Sequence, residues 1–350
     1  MRLTRNSRKR LSVTFLLWGL AFVVVSVASC SLYAAYRVRD ALKYSGYFEE
    51  WEEDVDGETL ADVSYGAAEW NKIDCFFPKE LAKDKTHSAI VYIHGGAWSV
   101  GSRKDMAGFA RRCVKSGYVA ASVEYMLFND ATKDKYSMEA VLDEIDAALA
   151  KLKEVASARG VELKRVALGG DSAGGHILSL YAYSRSKKAP LQIAFIAPRV
   201  APIDFHVDAW NPVQKAETVA GIVSLMTRQK TSTEEIENPT EEIEARIASV
   251  SPMAYLENGG VVPTLAAYGA KDSVVGRNHC AKISAAFEKL GAKSIDDVKP
   301  NDEQTPVFDC LEFPRSGHML GSDPDFAARH WELFIRYARR FLDELDETNE

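Results

Sequence analysis

From about residue 70 onward, short apolar runs alternate with amphipathic segments, and this alternation constrains the fold more than any other feature of the chain. Residues 73–77 (closed by Pro78), 89–93, 118–123, 166–168, 193–197, 264–268 and 307–313 read as strands buried within a sheet. Helix signals lie between them. A helix over 104–116 stops at Gly117, and Ser137 caps another whose Val141, Ile145, Ala148, Leu149 and Leu152 form one apolar stripe before Gly160. A third begins at Ala173, and Asp323-Pro324 opens a last one with Trp331, Phe334, Ala338, Phe341 and Leu345 on one face. Parallel neighbours need long crossovers, so this order predicts a mostly parallel sheet with helices on both faces, a three-layer α/β sandwich. The rhythm breaks once: over 206–250 Glu-rich helical material replaces the expected strand, which reads as a cap-like insertion over the carboxyl edge of the sheet.

The N-terminal region follows different rules. Five basic side chains and no acidic one fall in residues 1–10, and the uncharged, apolar stretch 11–36 exceeds the ~20 residues that a helix needs to cross a bilayer. The bias of Lys and Arg toward the cytoplasmic side predicts an uncleaved transmembrane signal anchor, with the arm inside and the body outside. The competing reading is lipoprotein processing at Cys30 within Val27-Ala28-Ser29-Cys30-Ser31. Residues 37–68, polar and acidic, read as a linker or an N-terminal helical segment, and 69–350 as one domain. Of the 350 residues 47% are hydrophobic, ample for one large core, and the net charge is −7. With its basic cluster confined to the first ten residues, the acidic body carries no basic stripe and is not expected to bind nucleic acid. Cys75, Cys113, Cys280 and Cys310, an even number in a body expected to face an oxidising space, leave disulfides open, but their scattered positions show neither CxxC pairs nor metal-ligand spacing and buried free thiols are the expected state. Neither a metal nor an organic cofactor is implied.

The chemistry concentrates at the ends of the predicted strands. Gly170-Asp171-Ser172-Ala173-Gly174 fits G-x-S-x-G where the strand 166–168 meets a helix, a turn that lifts a serine hydroxyl clear of the sheet. A serine hydroxyl needs a base, and the base needs an orienting carboxylate. After the last strand comes Arg315-Ser316-Gly317-His318, which makes His318 the candidate base. Asp272, directly after the strand 264–268, is the candidate acid, with Asp204 as runner-up. An oxyanion needs fixed N–H donors. His94-Gly95-Gly96-Ala97-Trp98 follows the strand 89–93, so Gly95, Gly96 and Ala97 are expected around the oxyanion together with Ala173.

These motifs together, HGGAW at 94–98, GDSAGG at 170–175, AKD at 270–272 and SGH at 316–318, resemble the hormone-sensitive-lipase-like serine esterases over about residues 70–342. The resemblance implies an eight-stranded α/β-hydrolase fold and hydrolysis of a small-molecule acyl ester through an acyl-serine intermediate. Kynurenine formamidases and bacterial carbohydrate esterases share the motifs. Ala97 stands where many relatives have a third glycine, and Tyr125-Met126 replaces a frequent Tyr-Arg. Two rival functions remain: an amide-cleaving hydrolase, formamidase or peptidase, using the same triad, and a catalytically inactive surface binding module of the same fold.

Overall fold

The computed structural model describes residues 49–81, 86–299, 302 and 304–343. The basic arm, the expected span 11–36 and Cys30 lie outside the described residues. Among the described residues, no helix is long and apolar enough to cross a membrane.

The alternating runs form one eight-stranded sheet: β1 (Gly57–Ser64), β2 (Lys72–Pro78), β3 (Thr86–Ile93), β4 (Val119–Val123), β5 (Glu162–Asp171), β6 (Gln192–Arg199), β7 (Thr264–Gly269) and β8 (Phe308–Phe313). Their order across the sheet is β1-β2-β4-β3-β5-β6-β7-β8. β2 runs antiparallel to both β1 and β4, and every other neighbouring pair is parallel. The carboxyl ends of β3 through β8 therefore share one edge, where the loops that follow β3, β5, β7 and β8 meet.

In chain order the helices are α1 (Ala107–Lys115), α2 (Met138–Ser157), α3 (Ala173–Arg185), the insertion helices α4 (Val207–Trp210), α5 (Ala216–Thr227), α6 (Thr233–Glu237) and α7 (Glu241–Val250), then α8 (Pro252–Glu257), α9 (Asn278–Lys289) and α10 (Pro324–Ala338). Ser137 caps α2 as expected, accepting from Ala140 N at 3.2 Å, and Pro324 opens α10. A strand points alternate side chains to opposite faces. In β3, Ala89, Val91 and Ile93 join the core beneath α2, α3 and α9, while Ile90 and Tyr92 join the one beneath α1 and α10. Each aliphatic side chain buried this way contributes about 1.5–3 kcal/mol relative to exposure.

Three expectations need correction. The stretch 37–68 is not all linker or helix, because its residues 57–64 form edge strand β1, so the sheet begins well before residue 69. The strand hid because one face is solvated and a register shift between Leu60 and Val63, with Asp62 at φ 59°, breaks the alternation of apolar residues. The insertion 206–250 is helical, but Val219, Val223, Met226, Ile243 and Ile247 are spent on the core beneath α3. Of the four cysteines among the described residues, Cys75 and Cys113 are buried free thiols, whereas Cys280 and Cys310 are only half-buried and touch each other.

Candidate active site

Ser172 sits between the last residue of β5 and the first of α3 at φ 53°, ψ −119°, a conformation that costs a residue with a side chain about 1–3 kcal/mol. Its neighbours hold it there. Ser172 N donates to Arg199 O at 2.8 Å, and its carbonyl accepts His176 N at 2.9 Å as α3 begins. The turn after β3 packs directly on this elbow, which requires glycine on both sides. A Cβ at Gly174 would lie 2.1 Å from Ile93 O, and one at Gly95 would lie 2.8 Å from Asp171 O and 3.3 Å from Ser172 Cβ. The turn itself is left-handed over three residues, with φ of 113° at Gly96, 48° at Ala97 and 59° at Trp98.

The turn is pinned by groups whose role the sequence reading did not see. His94, fully buried, stacks on Tyr125 with ring centroids 4.3 Å apart, and Tyr125 Oη donates to His94 O at 2.9 Å. The His94 ring lies 2.7 Å from Gly95 O and 3.2 Å from Glu124 Oε1. Burial pushes the Glu124 carboxyl up, but its bonds to His94 and Arg103 outweigh that and hold it below the usual carboxylate range. Arg103 also pairs with Asp74 at 2.9 Å and with Asp62 of the edge strand. On the other side Trp98 Nε1 donates to His176 Nδ1 at 3.2 Å, and His176 Nε2 donates to Val250 O at 2.8 Å. Burial lowers His176 to about 4, so it stays neutral and serves as a fixed link between the turn, α3 and the end of α7.

The structure brings Asp272 and His318 together, with Asp272 Oδ2 2.8 Å from His318 Nδ1. The other carboxylate oxygen, Oδ1, accepts Val274 N at 2.8 Å and Val275 N at 3.0 Å. A carboxylate can only accept, so Nδ1 carries the proton and Nε2 of the neutral ring keeps its lone pair. The Asp272 side chain is fully buried while that of His318 is 22% exposed, so Asp272 lies behind the imidazole. The His318 loop is held by Asp323, which accepts Ser316 Oγ at 2.7 Å and Arg315 N at 3.0 Å, and Lys271 N donates to Ser316 O at 3.0 Å. Asp204, the alternative acid, pairs instead with His206 at 2.6 Å and Lys282 at 2.7 Å.

Ser172, His318, Gly95, Gly96 and Ala97 all line one cavity of about 730 Å³. Ala173 is buried beneath its rim, as the first residue of α3. Among the described residues, none from 206–250 lines the cavity, because the apolar faces of that stretch are already packed in the core. Trp210 is buried against Phe205 and His279, and its indole donates to Asp204 O at 2.9 Å. A polar groove of about 830 Å³ between α2, α3, α5 and α7 holds none of the candidate site residues.

Residues 73–287, more than half of the chain, match the BD-FAE family. The chain belongs to that family. Membership agrees with the esterase resemblance carried by the motifs, and the sheet with its flanking helices is an α/β-hydrolase fold. The chain is 23% identical over 288 residues to Esterase LipQ of Mycobacterium tuberculosis, an alignment covering 80% of this chain and 63% of the relative. Kynurenine formamidase of Danio rerio is 24% identical over 248 residues, covering 70% of this chain and 74% of that protein. Among solved structures, a truncated carbohydrate esterase from gut microbiota superposes with a TM-score of 0.61 at 17% identity, over 81% of this chain and 99% of the other. At that identity the superposition speaks for the shared fold alone.

Proposed function

We propose that this BD-FAE family member is a serine esterase in which Ser172 is the nucleophile, His318 the general base and then acid, and Asp272 the residue that orients it. The observation that carries this reading is the strained Ser172 and a carboxylate-oriented histidine facing one cavity. Ser172 Oγ attacks the ester carbonyl carbon while its proton passes to His318 Nε2. The carbonyl oxygen becomes an oxyanion held by the N–H groups of Gly96, Ala97 and Ala173, where one lost donor costs on the order of 3 kcal/mol. Collapse of the intermediate expels the alcohol, which takes the proton from His318, and water then releases the acid from the acyl-serine by the same path.

The cavity also indicates the substrate. Val100, Val274 and Met319 are 63%, 44% and 53% exposed, and all three line this cavity together with the more buried Met106 and Val200. Large hydrophobic side chains left in water around a cleft mark a surface that meets an apolar ligand. The proposed substrate is therefore a carboxylic ester bearing an apolar group. The test is a panel of acyl esters of graded chain length with a fluorophosphonate probe: turnover that rises with apolar bulk and labelling at Ser172 are expected. Failure of folded protein to label at Ser172 overturns the reading.

A second reading, cleavage of an amide such as a formamide, is favoured by the kynurenine formamidase similarity over 70% of the chain. Comparing ester with formamide turnover separates the two. The proposal extends to location: the basic arm and the apolar stretch 11–36 support a membrane anchor that leaves the body outside the cytoplasm.

A further inference from the structure

Cys280 and Cys310 stand apart from the other thiols among the described residues. Cys75 and Cys113 are buried, and burial pushes both up to about 12, which leaves them inert. Cys280, in the first turn of α9, and Cys310, in the middle of edge strand β8, bring their Sγ atoms to 2.9 Å. That is well inside the van der Waals contact of two sulfur atoms and lies between contact and the S–S bond length of about 2.05 Å. Both residues are half-buried against the α9 face of the core, so a small reagent can reach them. The hydrogen bond from Cys310 S–H holds the Cys280 thiol below its usual range, while the same bond and burial push Cys310 up, so Cys280 ionises first; its position in the first turn of a helix favours the thiolate further.

Their places in the chain give the pair a consequence. α9 follows the loop that carries Asp272, and β8 precedes the loop that carries His318. Those loops are otherwise joined by the Asp272–His318 bond, by Lys271 N to Ser316 O at 3.0 Å and by Ala270 N to Phe313 O at 2.9 Å. We propose that Cys280 and Cys310 form a disulfide that locks α9 to β8 and so braces the Asp272 loop against the His318 loop. The oxidant is a small-molecule disulfide such as oxidised glutathione. The Cys280 thiolate attacks one of its sulfur atoms and expels a glutathione thiolate, leaving a mixed disulfide. Cys310 then gives its proton to water and attacks Cys280 Sγ, expelling the second glutathione. One small disulfide is thus reduced to two thiols as two protein thiols are oxidised.

The test uses the full chain incubated with oxidised glutathione, alkylated, and digested without reductant. The expected result is a peptide pair joined through Cys280 and Cys310, with Cys75 and Cys113 alkylated only after unfolding. Closing a loop of this length raises Tm by roughly 5–10 °C in the oxidised protein over the reduced. Cys280→Ser and Cys310→Ala should each have a Tm that reductant does not change. Alkylation of both cysteines after oxidation overturns the proposal, as does separate glutathione capping of each. Equal Tm values for cross-linked and reduced protein overturn the bracing.

Discussion

Asp272→Asn tests the catalytic assignment most sharply, because the surroundings of Asp272 dictate how the new amide must sit. Oδ1 accepts two backbone N–H groups, from Val274 and Val275. The NH2 of asparagine cannot take that place, since a donor would then face two donors, so the amide oxygen keeps both bonds and the NH2 turns toward His318 Nδ1. Nδ1 must then accept, which moves the ring proton to Nε2 and removes the lone pair that should receive the serine proton. A base held in the wrong tautomer costs on the order of 10⁴ in turnover, or about 5.4 kcal/mol of transition-state stabilisation. The fold should survive, because the shape and both loop hydrogen bonds are kept. Asp272→Ala, by contrast, leaves two N–H groups without an acceptor and should also lose about 1–3 kcal/mol of stability for each that stays buried. The assay is kcat/KM on an activated ester, with thermal unfolding measured alongside. If folded Asp272→Asn retains turnover within tenfold of the parent, Asp272 does not orient the base and the mechanism fails.

Ser172→Ala and His318→Ala should each lower turnover by several orders of magnitude to a similar floor, and the double variant should fall no further, since members of a triad act as a unit; stopped assays on all three check this. Gly174→Ala should fold poorly or unfold at much lower denaturant, because its Cβ would meet Ile93 O at 2.1 Å. Val274→Asp should lower kcat/KM for long acyl esters at least tenfold more than for acetyl esters, and an unchanged ratio would detach the rim from substrate binding. His206 lies between Asp204 and Glu244, whose carboxylates raise it to about 9. Its folded pKa exceeds the unfolded one, so the stability it lends is complete below about pH 6.5 and is lost as pH rises through 9. Tm should therefore drop across that window in the parent and drop less in His206→Gln. For the anchor, protease added to intact cells should digest the body if residues 11–36 span the membrane with the N-terminus inside.

What could be read in advance follows from how local each signal is. Central strands buried on both faces are continuous apolar runs, so β3 through β7 stand out, and the strand–turn–helix context of Ser172 is complete within ten residues. The β1 strand was invisible because its pairing depends on β2, and an edge strand with a solvated face needs no apolar run of its own. His176 and Glu124 were passed over for a similar reason. Each is an ordinary residue in its own segment, and its role comes from partners far along the chain, Trp98 and Val250 for one, His94 and Arg103 for the other. The insertion misled in another way. Helical content was readable from its composition, but the surface its apolar stripes cover is set by tertiary packing, not by the stripes.

The choice between the two candidate acids turns on strand order. The proposed base follows β8, which among the described residues pairs in the sheet with β7 alone, and the loop after β7 therefore lies beside the loop that carries His318. Asp204 follows β6, one strand further away, and with neighbouring strands about 4.8 Å apart an acid there starts roughly 10 Å from β8. Asp272 Oδ2 reaches His318 Nδ1 at 2.8 Å, whereas Asp204 turns to His206 at 2.6 Å and Lys282 at 2.7 Å. The end of β6 is occupied with other tasks: Arg199 O holds the amide of Ser172, and Asp204 takes Lys282 of α9 and His206 at the mouth of the insertion. One strand thus supports the proposed nucleophile while the next carries the proposed acid. An Asp204→Asn variant should accordingly keep its turnover on activated esters while losing stability, and a loss of turnover matching that of Asp272→Asn would reverse the assignment.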